Sequence, residues 1–260
     1  EVGLGGRLDS TNIITPEISV ITNISLDHTQ FLGETLPEIA FEKAGIIKQN
    51  IPVVIGEKHS ETYRVFTEKA LKMNSEIFLA SDENFDYQTD LKGSYQKHNI
   101  KTAIATIQHL NTFTVSDQHL RKGLLNVVKN TKLLGRWQVL QEKPKVICDT
   151  AHNKEGVSYV LDQLQSEKKD QLHIVLGVVN DKKLSTILPL FPKEAIYYFC
   201  KPNIPRGLSE IILQEEAFKF GLKGFVFASV KEAYKEAILK AASADLIFIG
   251  GSTFVVSEVI

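Results

Sequence analysis

Two groups of residues in this sequence are of types and spacings that can do chemistry. The first lies in the N-terminal half and comprises Glu1, Asp27, His28 and Lys43. Asp27 and His28 follow a β-branched run at residues 18–24, and a carboxylate beside an imidazole at a strand end can share a divalent cation. A solitary histidine more often only satisfies its own surroundings, and a lysine in the last turn of a helix offsets the helix dipole. The less usual role for Lys43 is chemical. A lysine held partly neutral adds carbon dioxide and becomes a carbamate, an anionic oxygen ligand suited to Mg²⁺. Residue chemistry alone does not single that role out.

The second group follows the strands of the C-terminal half. In open α/β sheets ligands bind beyond the carboxyl ends of the strands, and the segments standing there are Asp149-Thr150-Ala151-His152-Asn153, Asn180-Asp181-Lys182, Lys201-Pro202-Asn203 and Gly250-Gly251-Ser252. Asp, His, Asn and Lys thus converge on one edge beside a Gly-Gly-Ser that opens a helix, whose backbone N–H groups can hold a phosphate or carboxylate. Asp149, Asn153 and Asn180 can equally be helix caps, one by one. Arg136 stands in a stretch, 129–144, with no sustained period, where an arginine is by default a solvated charge; a bidentate donor at a hinge is also what a closing phosphate site needs. Residues 3–6, G-L-G-G, match neither common phosphate-loop pattern.

The elements that must position these residues are legible from periodicity. In the N-terminal half, strands are expected at 18–24 and 51–56, and helices at 36–44, 61–74 and from Asn99 through Ile100, Ala103, Ile104, Ile107 and Leu110. Thr35-Leu36-Pro37-Glu38 has capping-box spacing, with Gly45 as the stop. The last turn that holds Lys43 reads as exposed. Residues 81–97 are polar and irregular, and Ser116 is a helix cap. Beyond a boundary near Gly135, strands at 145–148, 172–179, 195–200, 225–228 and 245–249 alternate with helices at 154–165, 182–190, 209–220 and 230–242. That alternation predicts a doubly wound, mostly parallel sheet. Two domains are expected, 1–134 and 135–260.

Composition excludes several classes. Thirty Lys and Arg against 31 Asp and Glu give a net charge of −1, which argues against a nucleic-acid binder held by a basic face. No run approaches the ~20 consecutive apolar residues of a membrane helix. Cys148 and Cys200 sit in apolar runs and read as small buried hydrophobes in a reducing compartment. The expectation is a cytoplasmic monomer with small-molecule substrates and neither nucleic acid nor membrane as a partner.

Five motifs occur in order: E-V-G-L-G-G-R-L-D-S-T-N (1–12), L-D-H-T-Q-F-L-G (26–33), E-K-A-G-I-I-K (42–48), L-G-R-W-Q (134–138) and D-T-A-H-N (149–153). Together they resemble the folylpolyglutamate synthase/dihydrofolate synthase family of the Mur ligase superfamily, over the whole chain. G-G-R-L-D-S-T-N is the specific element; D-T-A-H-N is of a more widely shared kind. The resemblance implies an α/β fold in which a truncated Mur-ligase-type ATP-binding domain precedes a smaller doubly wound C-terminal glutamate-ligase domain. It implies an ATP-dependent amide ligase: a folate or dihydropteroate carboxylate attacks the γ-phosphate of ATP, and the amine of L-glutamate displaces phosphate from the acyl phosphate. By the same resemblance Glu1 and His28 match magnesium ligands, and Lys43 matches a carbamoylated lysine supporting the second of two Mg²⁺ ions. Asn99 and Asp149 match ATP contacts, and His152 lies beside the latter. Arg136 matches an arginine that reaches the ATP phosphates when the domains close, and Leu8, Asp9 and Ser10 match the segment contacting the pterin-bearing substrate.

One departure bears on activity. The family's glycine-rich G-T-N-G-K-G-S loop is absent from these 260 residues. Since the chain also opens at Glu1 without a Met, the expectation is that the loop belongs to a preceding segment of a longer protein. The alternative is a catalytically incomplete nucleotide- or folate-binding module. The presence of Glu1, His28, Lys43, Arg136 and Asp149 favours the enzyme.

Overall fold

Short β-branched runs and locally capped helices build both halves of the chain. The computed structural model describes residues 1–82, 86–180 and 183–260. They fall into two units, one of Glu1–Asp90 with Tyr95–Asn130, the other of Leu91–Ser94 with Thr131–Ile260.

In the first unit β1 (Ser19–Ile21) leads through α1 (Thr29–Leu32) and α2 (Leu36–Ala44) to β2 (Val53–Ile55), then through α3 (Ser60–Lys72) to β3 (Ile77–Leu79). The strands form a parallel sheet in the order β1-β2-β3. The capping box forms as its spacing predicts: Thr35 accepts from the Glu38 N–H while Glu38 reaches back to the Thr35 N–H. The buried side chains of α2 and α3 (Ala40, Ala44, Phe66, Ala70) pack with Ile21, Val53 and Ile55 into one core. The strands run shorter than expected, and β3 is a strand that periodicity had not marked. The Ser25–Thr29 turn also ends in a four-residue helix. Then come α4 (Gln96–Gln108), α5 (Asp117–Leu124, capped by Ser116) and α6 (Val127–Thr131). Helix α4 starts three residues before Asn99, which is therefore not its opening residue. Ala103 is exposed, and Gln96, Thr102 and Ala105 take buried positions on α4.

In the second unit β4 (Gln138–Glu142), β5 (Lys145–Cys148), α7 (Lys154–Ser166), β6 (Leu172–Leu176), α8 (Leu184–Ile187), β7 (Ile196–Cys200), α9 (Glu210–Phe218), β8 (Gly224–Phe227), α10 (Val230–Lys240), β9 (Leu246–Gly250) and α11 (Thr253–Ser257) follow in turn. The sheet order is β4-β5-β9-β6-β7-β8. From β5 to β8 every pairing is parallel, whereas β4 runs antiparallel to β5. Strand β4 occupies the stretch that shows no period in the sequence. It pairs at the sheet edge, with a register shift at Val139/Gln141, and such a half-covered, bulged strand carries no clean alternation. Of the helix expected over 182–190, residue 182 lies outside the described ones. Val230, Ala233 and Ala237 of α10 join Val146, Val175, Tyr198 and Ile249 in the core, as their i, i+3, i+7 spacing dictates. No described helix is long and apolar enough to cross a membrane.

Candidate functional site

In the first unit the residues before β1 lie along α2, and the motif residues join the two. The Arg7 N–H donates to the Glu42 carbonyl (2.8 Å), and the Arg7 guanidinium pairs with the Glu42 carboxylate at 2.9 Å. The Asn12 amide donates to the carbonyls of Arg7 and Gly45, each at 3.1 Å, and Lys48 Nζ donates to the Asn12 carbonyl at 2.5 Å. The backbones meet so closely that a Cβ on Gly45 would lie 2.3 Å from Arg7 Cα. A Cβ on Gly6 would lie 2.9 Å from Ile46. Gly5 and Gly6, the buried end of the G-L-G-G run, thus pack against the helices, while Gly3 and Leu4 are exposed.

Asp9 ties the same segment from within. Its Oδ2 accepts from the N–H groups of Gly3 and Leu4, and its Oδ1 accepts from the N–H and hydroxyl of Thr11. The Thr11 hydroxyl first, then the N–H groups of Leu4 and Thr11, hold its carboxyl down at about 2. Leu8, 79% exposed, and Ser10 stand on either side of Asp9 at the surface.

The clasp fixes the end of α2, and with it Lys43. Lys43 is half-buried, which corrects the expectation of an exposed last turn. Burial lowers the pKa of its ammonium, and the charge of the neighbouring Asp27 opposes that fall. The Asp27 carboxylate accepts the His28 N–H at 2.9 Å, and its other oxygen lies 4.0 Å from His28 Nε2. His28 is held at φ 50°, ψ 37°, left-handed backbone that a non-glycine residue adopts at a cost. Asp27, His28 and Lys43 are therefore brought together. Glu1 is exposed, and no hydrogen bond or ion pair among the described residues joins it to them. Among the described residues no three His, Cys, Asp or Glu side chains are grouped as a metal cage. Mg²⁺ does not require one, because it keeps several waters and takes one or two carboxylates together with substrate phosphates. The Asp27 carboxylate, beside the His28 imidazole and the half-buried Lys43, is an oxygen donor of that kind.

Asn99, on α4 of this unit, is exposed and its amide donates to Gln96 Oε1 at 3.0 Å.

In the second unit β9 lies between β5 and β6, so the Gly-Gly-Ser turn after β9 is flanked by the loops after β5 and β6. Asp149, 2% exposed, continues β5; its N–H donates to Ile249. Its carboxylate accepts from the N–H groups of Trp137 (2.7 Å) and Ala151 (2.8 Å). It caps no helix. Asn153 does: its side chain accepts from the Gly156 N–H at the start of α7. His152 Nδ1 lies 3.0 Å from the Thr150 carbonyl, a bond that requires Nδ1–H and leaves a neutral ring's Nε2 as acceptor. In the first turn of α7 the buried Oε2 of Glu155 has no hydrogen-bond partner among the described residues. Asn180 is exposed and lies before the Lys183 cap of α8 rather than at it. Asp181 and Lys182 lie outside the described residues. Ser252 caps α11. Arg136 is exposed between the buried Gly135 and Trp137.

The Mur ligase middle domain matches residues 1–121, and the Mur ligase glutamate ligase domain matches residues 135–253. The chain belongs to the Mur ligase family. Its similarity within that family is to folylpolyglutamate and dihydrofolate synthases, as the motifs imply. It is 32% identical to the dihydrofolate synthase/folylpolyglutamate synthase of Buchnera aphidicola, over 99% of this chain and 65% of the relative. It is 30% identical to that of Escherichia coli K12, over 100% of this chain and 63% of the relative. The solved structure of E. coli FolC in complex with DHPP and ADP superposes with a TM-score of 0.87 at 29% identity, covering 100% of this chain and 64% of that one. A bifunctional folylpolyglutamate synthase/dihydrofolate synthase with Mn, AMPPNP and L-glutamate bound gives 0.84 at 28% identity, again over 100% and 64%. The chain thus spans under two thirds of the length of these relatives.

The clasp residues Arg7, Asn12, Glu42, Gly45 and Lys48 stand inside motifs that sequence reasoning singled out, but not in their actual role. The signal the sequence offered was an Arg in one motif and a Glu in another, 35 positions apart, opposite charges that the fold pairs.

Proposed function

We propose that this chain carries the greater part of an ATP-dependent ligase that joins L-glutamate to the carboxylate of a folate or dihydropteroate. The observation that carries the reading is the assembly of Asp27, His28 and Lys43 at the end of a helix clasped by the family's most specific motif. A match running through both units supports it. In the proposed reaction an oxygen of the pterin acid attacks the γ-phosphorus of ATP and ADP leaves. The glutamate nitrogen then attacks the acyl carbon, phosphate leaves, and the amine gives up a proton.

The protein's part is positioning and charge neutralisation. Leu8 and Ser10, presented by the loop that Asp9 closes, are proposed contacts of the pterin-bearing substrate. Arg136 is the proposed cation for the ATP phosphates, and Asn99, Asp149 and His152 are proposed to lie at the nucleotide. Asp27, His28 and Glu1 would hold divalent metal, which when bound neutralises phosphate charge. Lys43 in its neutral form can attack carbon dioxide, forming an N–C bond and releasing a proton, to give a carbamate that supports a second Mg²⁺. The half-burial that disfavours its ammonium form supports that step. The domain division at 134/135, a cytoplasmic setting and a monomeric state belong to the same proposal.

The test uses the protein in the length its source makes. ADP formation should require the pterin acid, and the product should be that acid extended by one glutamate. Tight binding of nucleotide or folate with no ADP formed under any substrate combination would overturn the ligase in favour of a binding module.

A further inference from the structure

Arg136 reads from the sequence as part of a hinge, yet its backbone is pinned on both sides. The Gly135 N–H donates to Gln138 Oε1 at 2.8 Å. The Gly135 carbonyl accepts from the Thr150 N–H at 3.0 Å, and the Trp137 N–H donates to Asp149 Oδ2 at 2.7 Å. Gly135 has φ +68°, and a Cβ there would come within 2.9 Å of Thr150 and 3.0 Å of Val256. Trp137, 3% exposed, fills the other side at φ 46°. Gln138 in turn pairs with Cys148 in the β4–β5 ladder, and Asp149 is tied to Ile249 on β9. Every one of these partners belongs to the second unit. The exposed arginine is therefore carried on a bolted loop.

We infer that Gln138 is a positioning residue that acts through Arg136: its Oε1 holds the Gly135 N–H beside it, so that the guanidinium is presented from a fixed backbone to an anionic phosphate. The inference rests on the ligase reading for what Arg136 meets; the loop geometry stands apart from it. A long cation on a fixed backbone has fewer placements to lose when it engages a bidentate anion. A small misplacement of such a group costs up to about a hundredfold in rate.

The test is a set of double-mutant cycles on the protein in the length its source makes, with kcat and KM for ATP as readouts and melting temperature as the check on folding. Gln138→Met removes the acceptor at nearly constant shape and should lower kcat/KM for ATP about tenfold or more. Gln138→Glu keeps an acceptor oxygen and should recover most of that loss. Placed on Arg136→Ala, Gln138→Met should cause no further loss beyond about twofold, because the group it aims is gone. Losses that multiply in full on Arg136→Ala would overturn the inference, and would make Gln138 a direct nucleotide contact or a plain structural tie. Arg136→Ala with unchanged kcat/KM would overturn the inference together with the role proposed for Arg136, which separates the two failures.

Discussion

Lys43 sits at the end of α2 with its ammonium partly desolvated and the Asp27 charge nearby. If its working form is the carbamate, two results follow. Lys43→Ala should lower turnover at least a hundredfold while shifting the melting temperature little, because the alanine leaves α2's buried positions Ile39, Ala40 and Ala44 untouched. Small carboxylates such as acetate should restore part of that activity by supplying the missing oxygen ligand. Unchanged turnover in the variant would remove Lys43 from the site. The cysteines make a second claim at this scale. Burial pushes the Cys148 thiol up to about 12 and Cys200 higher still. A thiol with raised pKa stays protonated below it, and the thiolate is the nucleophile, so at pH 8 Cys148 and Cys200 should remain unmodified by a disulfide reagent. Both should react once the chain is unfolded. Rapid modification of either in the native protein would contradict their burial.

Elements set by local chemistry were the legible part of the fold. The capping box at Thr35–Glu38, the Ser116 and Asn153 caps and the apolar spacing of α10 each depend on residues within a few positions of one another. What was not legible depends on long-range partners. Strand β4 owes its existence to pairing with β5 at the sheet edge, and the start of α4 at Gln96 has no side-chain cap to announce it. The clasp on α2 joins residues more than 30 positions apart, so the motifs were visible but their contacts were not. Asp149 was read as a cap or a nucleotide contact; its burial on the Trp137 and Ala151 N–H groups could not be seen without the β4–β5 turn. The clasp predicts a stability effect. Gly45→Ala places a methyl within 2.3 Å of the Arg7 backbone, and relieving that overlap should cost about 1–3 kcal/mol and drag α2, with Lys43, out of register. Calorimetry should therefore show a clear fall in melting temperature, with turnover falling alongside. A variant as stable as the parent would mean that the N-terminal segment does not lie on α2.

At the scale of the whole molecule, each unit has its own sheet and core, the sheet parallel throughout in the first unit and parallel except for β4 in the second, and each carries part of the proposed machinery. The proposed metal ligands belong to the first unit, and the second holds Arg136, Asp149 and His152. Neither set alone performs the proposed reaction, which is why the central claim concerns the chemistry of a complete turnover. The most direct test follows the oxygen atoms. The pterin acid is prepared with isotopically heavy oxygen in the carboxylate that becomes the amide, and the inorganic phosphate released during ligation is analysed by mass spectrometry. An acyl-phosphate ligase transfers one carboxylate oxygen to phosphate in every turnover, so the phosphate should be labelled in step with amide formed. Amide formation with unlabelled phosphate, or phosphate release with no amide, would contradict the account.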